Sequence, residues 1–176
     1  MEEIYLAEKA FIGLIVSSVE VFRDECLGIL LGYRESDRMT VEYAIPYQSA
    51  KRRKGSVDAN LRRDAVCKGL LPSLSHLEHL GYFHSHTQFG NRLAIAKASL
   101  DDFQSMREGQ IEIIVAVNEA SRRKEWMMHR DGHLSGTIGE YSFGLRAYHF
   151  HPQKLGWKDI DIICPYAVGF DYAFLP

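Results

Sequence analysis

Apolar residues recur along this chain at two different spacings. Between Glu8 and Cys26, the residues Phe11, Leu14, Ile15, Val19 and Phe22 repeat close to the helical period, in spite of the β-branched pair Ile15-Val16. A second long helix is expected from an Asp58 cap to about His79. Leu61, Ala65, Leu70, Leu74 and Leu77 lie on its apolar side, and Pro72 bends or splits it. A third runs from about Ser99 to Glu108. Elsewhere the apolar residues come in short runs closed by polar or glycine-containing turns, which is the signature of strands. Glu2 to Leu6, Leu27 to Tyr33, Thr40 to Tyr47, and the stretch opening at Leu80-Gly81-Tyr82-Phe83 belong to this class. Ile111 to Val117 is nearly all apolar, as a strand buried on both faces must be. Glu125 to His129 and His133 to Ile138 flank Arg130-Asp131-Gly132, whose Asp-Gly step predicts a hairpin. The charged run Lys51 to Gly55 reads as an exposed loop.

This alternation predicts a mixed α/β (α+β) domain, with one curved mixed β-sheet and helices packed against it. No linker or repeat divides the chain, so residues 1–176 form a single domain. Residues 141–176 hold nine aromatics between Tyr141 and Phe174 and read as an extension, either packed on the domain or used for docking.

Composition narrows the function classes. A formal charge of −2 disfavours a nucleic-acid binder, which carries a clear basic excess. No apolar stretch is long enough to span a bilayer. The acidic start Met1-Glu2-Glu3 is unlike a secretory signal, so a cytoplasmic location is expected. The three cysteines, Cys26, Cys67 and Cys164, are widely spaced and form no CxxC pair, which predicts free thiols.

The chemistry concentrates in Gly81-Tyr82-Phe83-His84-Ser85-His86 and Ser99-Leu100-Asp101-Asp102. In a strand, residues i and i+2 share a face, so His84 and His86 project together and Ser85 points away. With Ser99 as helix N-cap, Asp102 falls in the first turn and can swing back over the strand end as a third ligand. Two imidazoles, one carboxylate and an open position are the ligand set of a catalytic zinc. Upstream, Glu25 lies where the first helix gives way to the Leu27-Gly28-Ile29-Leu30-Leu31-Gly32 strand, and an acid there can serve as general base to a zinc-activated water.

These four elements resemble, in type and order, the motif of the JAMM (MPN-plus) zinc metalloproteases, a family of deubiquitinating isopeptidases and prokaryotic relatives. The resemblance spans roughly Ala10 to Val117. It implies a cytidine-deaminase-like sheet flanked by helices and hydrolysis of an amide or isopeptide bond. It also implies Zn2+ held by His84, His86 and Asp102, with Glu25 and Ser99 catalytic and Ser99 donating to the oxyanion. The implied partner is a ubiquitin-like or sulfur-carrier protein, or its conjugates, engaged by its C-terminal tail. Two features depart from the pattern. Thr87 stands where the family has proline, and the loop from Gln88 to Ala98 is several residues longer, leaving Asp101 as the alternative to Asp102. Phe89 and Leu93 are the apolar residues of that loop expected to touch substrate.

Other readings compete. MPN domains that have lost their ligands act as scaffolds. PHP-type phosphoesterases also use His-x-His, but at the start of a barrel with many later ligands. His76 with His79 and His149 with His151 repeat ligand-like spacings without a timed acid, and are expected on solvated surfaces.

Overall fold

The computed structural model describes residues 3–53, 55–74, 76–151 and 156–172. The strands, in chain order, are β1 (Glu3–Leu6), β2 (Leu27–Arg34), β3 (Arg38–Pro46), β4 (Lys51–Arg53), β5 (Ser56–Asp58), β6 (Glu78–Thr87), β7 (Ile111–Glu119), β8 (Met127–Met128), β9 (Leu134–Ile138), β10 (Tyr141–His151) and β11 (Gly156–Ile163). The helices are α1 (Glu8–Glu20), α2 (Leu61–Leu74), α3 (Leu100–Ser105) and α4 (Pro165–Tyr172).

The sheet is closed. Pairing runs β10-β11-β1-β3-β2-β6-β7 and returns to β10, giving a mixed seven-stranded barrel, with β9 and β8 continuing outward from β10. β1 is parallel to both β3 and β11, β6 is parallel to β7, and the remaining barrel pairs are antiparallel. The expectation of one curved mixed sheet flanked by helices, cytidine-deaminase-like, is therefore wrong. Strands dominate, the helices are short, and the edges of the main sheet meet through β11. The physical reason is the last hairpin. β10 and β11 pair from Ala147↔Ile160 to His151↔Gly156, and β11 then pairs with β1, a junction that no local pattern predicts.

One face of the strands packs with α1 and α4 into a single core. It contains Phe11 and Leu14 of α1, Leu30, Met39, Phe83, Ile113, Val115 and Leu145 of the strands, and Ala167 of α4. Trp126 sits among them, edge-on to Phe11 and stacked on Phe143. The opposite face carries two small clusters. Ile29, Leu31 and Tyr47 lie on the side of α2, and Ala98, Ile114 and Tyr148 on the side of α3. Of the aromatic segment, Phe143 and Tyr148 are buried and Tyr141 packs on the core. The side chains of Trp157, Phe170 and Tyr172, and all of Phe174, lie outside the described residues, as does Glu2.

Several boundaries differ from the periodicity. α1 ends at Glu20, and a turn with Arg23 at φ 87° leads into β2. Of the run expected as an exposed loop, Lys51–Arg53 form β4, which pairs antiparallel with β5. α2 stops at Leu74, and its expected apolar face is turned outward, with Leu61 75% and Leu74 74% exposed. Polar contacts fasten this helix. Asp64, its buried residue, accepts from Tyr47 Oη and pairs with Lys68 Nζ at 2.6 Å, while Lys68 donates to Tyr82 Oη at 2.5 Å. His79 belongs to β6, where its Nε2 is buried without a hydrogen-bond partner among the described residues, so the expected solvated helical face is also wrong.

Gly81 shapes β6. Its φ is +155°, and a Cβ there would collide with the Ile111 carbonyl. Opposite it, the β2–β6 register shifts between Leu30 and Leu31. Glycine thus lets β6 lie against β7 just before the two histidines.

Candidate metal centre

β6 sets the site by simple alternation. Phe83 and Ser85 face the core side, and His84 and His86 project from the opposite face. Ser85 is fully buried, and its Oγ accepts from Cys26 N at 2.9 Å while its own N–H donates to Cys26 O at 3.1 Å. These two bonds tie the segment carrying Glu25 to the histidine strand.

Ser99 caps α3. Its Oγ accepts from Asp102 N at 3.1 Å, and the Asp102 carboxylate accepts from Ser99 N at 2.6 Å. This reciprocal box holds the Asp102 side chain against the strand end. His84 Nε2 and His86 Nε2 lie 3.1 Å apart, and the Asp102 oxygens lie 3.4 Å from His84 Nε2 and 3.7 Å from His86 Nε2. His84, His86 and Asp102 therefore form a group that can hold a metal ion. Asp101, the alternative, lines the same cleft but is not a member of this group.

The other ring nitrogens decide the chemistry. His84 Nδ1 lies 2.8 Å from Glu112 Oε1, and His86 Nδ1 lies 2.9 Å from the Ile95 carbonyl oxygen. A carbonyl only accepts and an ionised carboxylate only accepts, so each Nδ1 carries the hydrogen in the neutral rings. Both Nε2 atoms then present lone pairs, and they face each other beside a carboxylate. Such a trio is stable around a shared cation.

Charges follow the same geometry. Burial disfavours the ionised form of Asp102, but His86 and His84 in their protonated forms and the bonds from Ser99 outweigh it, and its pKa falls well below the carboxylate range. Burial opposes protonation of His84, yet the hydrogen bond and charge of Glu112 prevail and raise its pKa. Glu25 is pushed upward by burial, with His86 and His84 acting in the opposite direction.

A cleft of about 600 Å³ opens over the group. Glu25 and Ser99 line it, as do Leu61 and residues 55–59 around the β4–β5 hairpin. The five predicted site residues Glu25, His84, His86, Ser99 and Asp102 thus border one cleft. Phe89 and Leu93 do not line it; they stand 66% and 63% exposed on the loop. Glu112 was missed. The available signal was a glutamate inside an otherwise apolar strand, since a fully buried acid is rare unless paired.

No protein family and no curated protein matches the chain. Among solved structures it is similar to protein DSY2949 from Desulfitobacterium hafniense, with a TM-score of 0.59 and 18% identity over 92% of each chain. That is a likeness of fold alone. Among the described residues, no helix is long and apolar enough to cross a membrane.

Proposed function

We propose that this protein is a zinc-dependent hydrolase of amide or isopeptide bonds, acting beside the C-terminal tail of a ubiquitin-like or sulfur-carrier protein. The observation that carries the reading is the committed state of both imidazoles. Each Nδ1–H is engaged by Glu112 or Ile95, so both free nitrogens are directed at Asp102. The separations also suit zinc. Bonds of about 2.0–2.1 Å in a tetrahedron put ligand atoms about 3.3 Å apart, against 3.1, 3.4 and 3.7 Å here.

His84, His86 and Asp102 would hold the ion. Bound there, it supplies Lewis acidity and lowers the pKa of a coordinated water to about 7. Glu25 takes the proton of the attacking water and returns it to the leaving amine, its raised pKa suiting both directions of transfer. The Ser99 Oγ accepts from Asp102 N, which leaves its own hydrogen free to donate to the oxyanion as charge develops. The cleft wall formed by residues 55–59 and Leu61 offers a path for an extended tail.

Zinc content by metal mass spectrometry, on wild type and Asp102→Ala side by side, tests the centre. About one zinc per chain, lost in the variant, is expected. Glu25→Gln should keep its zinc and lose about 10²–10⁴-fold in turnover of a ubiquitin-like isopeptide conjugate. Absence of zinc from wild type sinks the enzyme reading in favour of a scaffold. Hydrolysis of simple phosphate esters in its place would mark a phosphoesterase.

A further inference from the structure

The loop that supplies the Ile95 carbonyl, residues 88–98, has little regular structure beyond the Phe89↔Arg92 bridge. Its hold on His86 needs another explanation. Two barrel side chains provide one. Asn118 of β7 makes both amide bonds to a single residue: Ala94 N donates to its Oδ1 at 2.7 Å, and its Nδ2 donates to Ala94 O at 3.1 Å. Tyr148 of β10 is buried, and its hydroxyl accepts from Ala98 N at 3.2 Å and donates to Ala96 O at 3.1 Å.

The clamped residues are thus 94, 96 and 98. In extended backbone, successive residues turn their N–H and C=O groups to opposite sides. The bonds of the loop alternate in that way: residues 94, 96 and 98 bond to Asn118 and Tyr148, and the carbonyl of residue 95 between them meets His86 Nδ1 instead. A slip of one residue would turn that carbonyl away. The same clamp ends immediately before Ser99, whose capping box sets Asp102.

We propose that Asn118 and Tyr148 are positioning residues of the metal centre. By locking the register of residues 94–98 they fix the His86 tautomer and anchor the Ser99–Asp102 turn. Neither touches the metal group, and both act through the loop backbone. This inference rests on the metal-binding reading above.

The test uses Asn118→Leu and Tyr148→Phe. The phenylalanine keeps the ring in its cluster with Ala98, Ile114 and Phe103 and removes only the hydroxyl. Two quantities are read on the full chain: the imidazole ¹⁵N shifts of His86 in metal-free protein, and zinc affinity by chelator competition. The variants should retain a cooperative fold, lose the Nδ1–H preference of His86, and bind zinc about 10–100-fold more weakly. Rescue toward wild type is expected in Asn118→Gln if its longer amide reaches Ala94, a response that bulk destabilisation would not give. Should Asn118→Leu fail to fold, Tyr148→Phe alone decides. His86 remaining Nδ1–H, with zinc affinity within about threefold of wild type, overturns the proposal. Wild-type protein that binds no zinc would defeat the metal reading instead, and the tautomer of metal-free His86 would still judge the clamp.

Discussion

Replacing Glu112 removes a buried group that supports the second ring nitrogen of His84 without belonging to the metal-binding trio, yet should weaken the metal centre. Its carboxylate is buried and lies 2.8 Å from His84 Nδ1. Loss of such a support typically costs 10–100-fold in metal affinity, about 1.4–2.7 kcal/mol. Glu112→Gln retains an oxygen that can accept from Nδ1–H, so only the charge is lost and the lower end of the range applies. Glu112→Leu leaves Nδ1–H buried with no acceptor. It should reach the upper end and also cost about 1–3 kcal/mol of folding stability. The pH dependence has a sign. Glu112 raises the proton affinity of His84 as well as its affinity for metal, so at low pH protons compete more strongly in wild type. The deficit of Glu112→Gln is therefore largest above the His84 pKa and narrows as pH falls. Competition against a chromophoric zinc chelator, across a pH series, measures this directly. Equal affinity of wild type, Glu112→Gln and Glu112→Leu at neutral pH would refute the argument that the second ring nitrogen controls the site.

Three further outcomes are expected. Ser85→Ala leaves the buried Cys26 N–H without its acceptor and should cost about 1–3 kcal/mol in urea unfolding, with the slope unchanged. His79, depressed from 6.5 to about 4 by burial, binds fewer protons folded than unfolded in that window. Stability should accordingly rise with pH between those values, and His79→Phe should flatten this part of the stability curve relative to wild type. Gly81→Ala should destabilise severely, because its Cβ would strike backbone at Ile111 that cannot move without shifting β7; thermal melting close to wild type would contradict that reading.

The site was more legible than the architecture, and the reason lies in what each depends on. His84, His86 and Asp102 meet through local rules: a period of two along β6 and a capping box spanning Ser99 to Asp102. Both are written within short windows. Closure of the barrel depends on Glu3 pairing with Asp161, which no window contains. β11 was concealed by its composition, since Trp157-Lys158-Asp159-Ile160-Asp161 mixes charge with apolar residues and reads as an aromatic tail. α2 misled for another cause. Its leucines have helical spacing, but the polar cluster of Asp64, Lys68, Tyr47 and Tyr82 fixed its orientation. Glu112 hid inside a strand whose apolar neighbours dominated the pattern.

The seam between β1 and β11 has a consequence for how the chain reaches its native state. The site strands β2, β6 and β7 pair across modest sequence separations, whereas β1 must wait for residues near the far end of the chain. Contacts of that span carry the largest loop-closure entropy and form slowly. On a ribosome, the histidine strand would emerge and pair while the first strand still lacked one neighbour, leaving an open edge exposed to self-association. Pulse-labelled hydrogen exchange during refolding should accordingly protect the amides of β6 before those of β1, and simultaneous protection would argue for all-or-none closure. The centre would then be built on an unfinished barrel, and the last event of folding would seal the wall behind it.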